Sequence, residues 1–303
     1  MRKAVIGSAA LGFAVFGLVS APSIAADALG PTLQRIKDAG SITIGHREAS
    51  VPLSYLDDNQ KPIGFSLELC DRVVARVKEK LGLPNLKVAY QAVNSSNRIP
   101  LVKNGTVDIE CGSTANTTPR QQEVSYSVIF YAPQFKWLAL KSSGLKVTDD
   151  LKGKTVAVTQ GTNTSQFVAK LNAEKSLGMK ILQGKDHAES FLLVETGRAS
   201  AFMEDDILLA GLKATASAPD NFAFLSDDFP SDPYGVMMSR GDAGIKQVVD
   251  EALTEAMKSG QYDKLYTKWF ETPIPPKNIN LNFPQSEKLK ALVKSPSDKA
   301  NGQ

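Results

Sequence analysis

The chain alternates strand and helix patterns, and it does so twice. That order restricts the fold more than any other feature. "SITIGH" (41–46) places Ile42 and Ile44 in alternation and ends at a turn, a short strand signal. "SLELCDRVVARVKEKLG" carries Cys70, Val73, Val74, Val77 and Leu81 at steps of three and four. It closes on Gly82 and Pro84, as an amphipathic helix does. "LKVAYQAV" reads as the next strand, "NRIPLVKNG" as a short helix ending at Gly105, and "VDIECG" as a third strand. This βαβαβ order predicts an open, mostly parallel sheet with helices on its faces. Such sheets bind ligands beyond the carboxyl ends of their strands. Arg47 and the Ser113–Arg120 turn fall there.

A second unit of the same type begins near Asp150. "KTVAVTQG", "KILQG" and "RASAFMEDD" read as strands, and "TNTSQFVAKLNAEKSLG" and "AESFLLVETG" as the helices between them. "FKWLALKSSG" and "YGVMMSRG" are extended, each long enough for one crossing between lobes. The expected organisation is therefore residues 26–138 plus 236–303 as a discontinuous first lobe and 139–235 as a second. Two crossing strands would form the hinge. "IKQVVDEALTEAMKSGQYDKLYTKWF" reads as a helical hairpin with Val248, Val249, Leu253 and Met257 on its apolar face. The tail from Thr272, rich in Pro, Asn and Lys, is expected to pack along the surface.

Residues 1–25 read as a secretory signal. Arg2 and Lys3 precede the apolar run "AVIGSAALGFAVFGLV", and "SAPSIA" supplies small residues for cleavage after Ala25. The competing reading is a membrane anchor. The run is short, rich in Gly and Ala, and followed by that small-residue site, which favours cleavage. No later stretch is long and apolar enough to span a bilayer. Among 303 residues, 35 Lys and Arg face 32 Asp and Glu. Without Arg2 and Lys3 the balance is about +1, so no general attraction to nucleic acid or membrane is implied. Cys70 and Cys111 can pair in an oxidising compartment or stay buried as thiols. With only two histidines, His46 and His187, and no CxxC, a zinc site is not indicated.

Enzyme signatures are missing. There is no GxSxG, GxGxxG or P-loop, and no Cys–His pairing is suggested. The acidic pairs Asp57–Asp58, Asp149–Asp150 and Asp227–Asp228 look like turn residues. Only Asp205–Asp206 follows a buried-looking strand. No catalytic residue and no cofactor are assigned.

A binding site uses more of the residues. Arg47, Arg98, Arg120 and His187 all stand at strand ends or turns. An arginine fork matches a carboxylate with two parallel hydrogen bonds, so their convergence would suit a ligand with two carboxylates. "CGSTANTTPR" adds Ser113, Thr114, Thr117 and Thr118 to a turn that can both cap a helix and hold an anion. Thr162, Asn163 and Thr164 open another helix, where plain capping is the simpler reading. His187 at a helix start is ordinarily a polar surface residue. Beside a ligand carboxylate its imidazolium would be favoured. Asp205 is either a helix cap or the counter-group for a ligand ammonium.

Taken together, "GHREASVPLSY", "SSNRIPLVKNGTVDIECGSTANTTPRQ", "DLKGKTVAVTQGT", "KDHAESF", "GRASAFMEDDILLAG", "YDKLYTKWF" and "PIPPKNINLNF" resemble the periplasmic substrate-binding proteins of polar amino-acid ABC transporters, closest to those that take glutamate and aspartate. The resemblance covers nearly all of the chain after Ala25. It implies an α/β, two-lobed type II periplasmic binding protein, a Venus-flytrap, acting as a monomer in the periplasm and delivering L-glutamate or L-aspartate to a membrane permease. It also implies roles. Arg120, with Ser113 and the turn around Ala115, would hold the α-carboxylate, and Asp205 the α-ammonium. Arg47, Arg98 and His187 would hold the side-chain carboxylate, with Ser95 and Thr162 nearby. The sequence departs from the family pattern at Ala115 and Asn163, where threonine is usual. Three rivals stand beside this reading. They are a binder of another polar amino acid, a periplasmic dehydratase of small cyclic acids on the same fold, and a sensor module, which the lack of a later membrane segment opposes.

Overall fold

The computed structural model describes residues 29–301 together with residues 1 and 4. Apart from those two residues, the expected signal segment and its cleavage point lie outside the described residues. Among the described residues no helix is long and apolar enough to cross a membrane.

Two sheets form. In the first the strand order is Lys87–Ala92, Ser41–His46, Ile109–Glu110, Met237–Ser239, Val124–Tyr126. Its first three strands run parallel, and Met237–Ser239 is antiparallel to both neighbours. In the second the order is Lys180–Gly184, Thr155–Thr159, Ala201–Asp205, Gln134–Leu140, Phe222–Phe224. Again the first three are parallel, and Gln134–Leu140 is antiparallel to its neighbours. Each sheet is thus a parallel half completed by a strand inserted antiparallel.

This overturns both expected crossing strands, since Met237–Ser239 of the second belongs to the first sheet. The segment beginning at Phe135 is not a crossing between lobes, and the division expected at residue 138/139 falls inside a strand of the second sheet. Its sequence explains the misreading. Phe135, Trp137 and Ala139 pack with Val168 and Leu171 of the helix Asn163–Glu174, whereas Leu138 packs with Phe191 and Val194 of the helix His187–Glu195. A strand covered on both faces shows a continuous apolar run, which periodicity cannot distinguish from an isolated extended segment. The crossings are shorter and lie at residues 131–134 and 231–234. There Tyr234 N–H donates to Tyr131 O (2.8 Å) and Phe130 N–H to Tyr234 O (2.9 Å).

The first sheet is covered by the helix Phe65–Leu81, which buries the predicted stripe of Cys70, Val73, Val74 and Val77, and by the helix Ala243–Lys258. An aromatic cluster runs from this core to the crossings. Phe65 meets Phe270 edge-on at 5.0 Å, Tyr131 stacks on Phe270, and Phe130 contacts Tyr234. Such ring pairs each add about 0.5–1.5 kcal/mol beyond the area they bury. The tail, expected along the surface, packs against the first lobe and reaches the second, where Lys277 Nζ donates to Thr215 O. Tyr55 Oη donates to Pro275 O, and Ile129 N–H to Ser297 O. The tail also holds a helix, Glu287–Lys294, capped by Ser286, which its composition did not announce.

Cys70 and Cys111 are joined in a disulfide, with Cα atoms 6.4 Å apart and 41 residues of separation. The bond ties the helix Phe65–Leu81 to the end of the Ile109–Glu110 strand, two residues before Ser113. Closing a loop of this size restrains the unfolded chain by about 3–4 kcal/mol. Replacing both cysteines with alanine should lower the unfolding free energy by that amount. The urea midpoint measures it, and an unchanged midpoint would contradict the assignment.

Candidate functional site

Every parallel strand of both sheets delivers a polar residue at or just beyond its carboxyl end. Arg47 follows Ser41–His46, Ser95 and Arg98 follow Lys87–Ala92, and Ser113 follows Ile109–Glu110. In the second sheet Thr162 follows Thr155–Thr159, His187 follows Lys180–Gly184, and Asp205 ends Ala201–Asp205. These seven side chains are all buried. Arg120, on the short helix Thr118–Gln121, is half-buried at the edge of the group.

Arg47 and Arg98 are each 2% exposed. Arg47 Nη1 donates to Ser113 Oγ (3.4 Å), and Arg98 Nη1 to Ser113 O (3.2 Å) and Thr114 Oγ1 (2.7 Å). Arg98 Nε has no hydrogen-bond partner among the described residues. Neither guanidinium is within ion-pair distance of a carboxylate among those residues. Burial, and then the charge of Arg98, lower the Arg47 pKa to about 10. Burial and Arg98 also lower Arg120. Arg120 Nη1 donates to Ala115 O (3.0 Å), and Thr117 Oγ1 caps its helix by accepting from Arg120 N–H (3.4 Å). Thr117 therefore fills the capping role. The threonine missing at Ala115 matters less to Arg120, which uses the backbone carbonyl there.

Across the cleft, His187 Nδ1 lies 2.9 Å from Thr159 Oγ1 and 3.3 Å from Glu204 Oε2. Burial lowers the imidazole pKa, against the opposing pull of Glu204. Burial also pushes the Glu204 carboxyl up, but His187 and the Thr164 hydroxyl (2.8 Å) more than offset this and hold it below its ordinary value. Burial thus keeps the ring's pKa low even beside a carboxylate. Thr162 Oγ accepts from Ser165 N–H (3.0 Å) and donates to Thr159 O (2.7 Å), so its hydroxyl serves the helix cap. Asp205 accepts from Ser231 Oγ and Tyr234 Oη. Burial, and then Glu204, raise its carboxyl well above the ordinary range. Its own hydroxyl donors come from the second crossing, so the acid sits at the hinge.

The two lobes meet over this group. Arg120 Nη2 donates to Gly161 O (3.1 Å) on the second lobe. Gly161 has φ +77°, and a Cβ there would stand 2.8 Å from the Ser95 carbonyl carbon and oxygen. A Cβ on Gly211, in the helix Asp206–Thr215, would likewise press on Val51 O. Asn163 Nδ2 donates to Asp232 Oδ2 (3.0 Å) at the second crossing.

Sequence reading brought out the cations but missed the acids behind them. Glu110 is fully buried. One of its oxygens accepts from Thr114 Oγ1, the other has no partner among the described residues, and its charge opposes the lowering of Arg47. Its only sequence signal was an acid inside a strand pattern. Glu204 was similarly hidden inside "AFMEDD". Among the described residues no cluster of three His, Cys, Asp or Glu side chains could hold a metal ion.

Residues 42–272 match the family described as bacterial extracellular solute-binding proteins, family 3. The chain belongs to that family. It is 50% identical over 287 residues to the L-glutamate/L-aspartate-binding protein of Pseudomonas aeruginosa, covering 94% of this chain and 95% of that one. It is 42% identical over 300 residues to the glutamate/aspartate import solute-binding protein of Escherichia coli, covering 99% of each. Among solved structures, an ancestral amino-acid-binding protein that is a precursor of cyclohexadienyl dehydratase superposes with a TM-score of 0.67. It is 27% identical, covering 79% of this chain and 99% of that one.

Gly161 supplies a test of closure. Gly161→Ala introduces a methyl against the Ser95 backbone and strains a left-handed residue by about 1 kcal/mol. Ligand affinity should fall at least tenfold in calorimetry, while the melting temperature of the ligand-free protein changes by only a few degrees. Unaltered affinity would mean that this contact does not form on closing.

Proposed function

We propose that the protein is the periplasmic solute-binding component of an ABC importer, closing its two lobes on L-glutamate or L-aspartate and handing it to a membrane permease. It returns its ligand chemically unchanged and works as a monomer. The observation that carries this reading is the pair Arg47 and Arg98, buried with neutral partners only. An isolated buried charge costs several kcal/mol, and a hydrogen-bonded counter-ion offsets it. An acidic side chain supplies that counter-ion; an amide does not. The names of the close relatives point the same way.

In this reading Arg120 takes the α-carboxylate, helped by Ser113 and the backbone at Ala115. Asp205 takes the α-ammonium, and Arg47, Arg98 and His187 take the distal carboxylate. Ser95, whose Oγ is buried with no partner among the described residues, lies within reach of the same group. Thr162 shapes the wall with its capped helix start. Asp205 has a second part. Its raised carboxyl favours the protonated form, and an arriving ammonium favours the ionised form. The opening motion takes place at residues 131–134 and 231–234, where the chain passes between sheets. The first lobe then comprises the residues before 131 and after 234, apart from any signal segment.

Loss of one partner from a buried charge pair costs about 2–5 kcal/mol. Arg98→Ala should weaken glutamate binding by about two decades or more. Titration calorimetry on the purified protein measures it, and near-unchanged affinity would remove Arg98 from the site. Wild-type protein should bind glutamine far more weakly than glutamate. Equal affinities in the same titrations would defeat the dicarboxylate reading.

A further inference from the structure

Among the groups that the proposed ligand contacts leave unused, one buried carboxylate is placed where it can control the site. Glu204 precedes Asp205 on the strand Ala201–Asp205 and is 2% exposed. Its Oε1 accepts from Thr164 Oγ1 at 2.8 Å and from Asp205 N–H at 3.2 Å. Two donors from two elements thus fix its position. Its Oε2 is 3.3 Å from His187 Nδ1. The His187 ring is held on the same side by Thr159 Oγ1, itself in contact with Ser190 Oγ at 2.9 Å. The imidazole is therefore oriented from its Nδ1 edge by a carboxylate and a hydroxyl, and Nε2 remains as its second polar atom.

We propose that Glu204 is a positioning and specificity-determining residue: it fixes the His187 ring and supplies the permanent negative charge that lets the ring take up a proton when an acidic side chain enters the cleft. The inference rests on the acidic-ligand reading above. Burial disfavours a proton on the ring most, and the charged groups around it pull both ways. Arg47 and Arg98 face it from the first lobe and oppose a proton, whereas Glu204 from its neighbouring strand favours one. Asp186 caps the ring's own helix, and Asp205 and Asp206 follow Glu204 along the chain. Without a ligand the two guanidiniums and burial prevail, and the ring is neutral. A ligand carboxylate answers the guanidiniums. Glu204 is then no longer outweighed, and the imidazolium has an anion on each side. A neutral amide leaves the guanidiniums unanswered and the ring neutral. In this way Glu204 converts the ligand's charge into a second attractive contact reserved for acids.

The sign of the pH dependence follows from linkage. The bound state holds one more proton at His187 than the free state, so glutamate binding should tighten as pH falls through the ordinary histidine range near 6.5. The chain has only two histidines, which keeps imidazole NMR simple to assign. In purified protein, His187 should titrate at higher pH with glutamate than without it. Glu204→Gln keeps the shape and removes the charge. It should weaken glutamate at least tenfold at neutral pH, change glutamine less than threefold, and move the pH midpoint of glutamate binding to more acid values. Glu204→Asp should recover part of the NMR shift, and it keeps the test open if the amide variant fails to fold. His187→Gln should abolish the pH dependence. Glutamate binding within threefold of wild type in Glu204→Gln, or a His187 titration that ligand does not move in wild-type protein, would overturn the proposal. Wild-type protein that binds no acidic amino acid would overturn the underlying reading, and this inference with it.

Discussion

Two guanidiniums held out of water without an anion set the terms for this molecule. Charged groups of this kind are costly inside a protein, and most structures pair them at once. Here Arg47 and Arg98 are given a serine hydroxyl, a carbonyl and a threonine hydroxyl instead. Those partners hold the side chains in place without neutralising them. The nearest acids, Glu110 and Glu204, stand behind and across from the pair, close enough to moderate the field but outside ion-pair distance. In this arrangement the lobes meet over the two arginines and leave each 2% exposed. An open arrangement that lets water reach the arginines is the natural alternative, and the free-energy difference between the two is the quantity that an arriving ligand alters.

The rest of the architecture makes such an exchange feasible. Each sheet has core residues of its own, while Ile207 and Leu208 of the second lobe pack into the core of the first. Only two short segments pass between them. The second of these carries Ser231 and Tyr234, which hold Asp205, and Tyr234 also belongs to the aromatic cluster of the first lobe. Asp205, proposed above to meet the ligand's ammonium, is thus hydrogen-bonded directly to a segment that passes between the lobes. Contact at the site and rotation at the hinge share the same atoms.

The sequence disclosed the fold almost completely. Alternating apolar residues and glycine stops located the parallel strands and their helices, because those signals are local. It was less informative where structure depends on partners far along the chain. Trp137 and Leu138 look alike whether their strand crosses open space or is sandwiched between helices, so the lobe boundary was misplaced. Glu287–Lys294 went unread because its capping serine follows a run of Pro and Asn. At the site, arginines next to glycine and serine turns stood out, whereas Glu110 and Glu204 were hidden inside strand patterns that usually bury apolar residues. Whether Cys70 met Cys111 was a question of distance, which no spacing rule answers.

The strand-end layout has an evolutionary consequence. None of the eight polar side chains proposed for the ligand belongs to a hydrophobic core, and they stand at strand ends, loops and helix starts. Stability is stored in the sheets and their covering helices, and chemical preference in the short segments that follow the strands. A lineage could exchange one preference for another through a few substitutions in those segments while its core stayed intact. The inherited scaffold and the inherited taste for a solute are physically separate traits in this molecule.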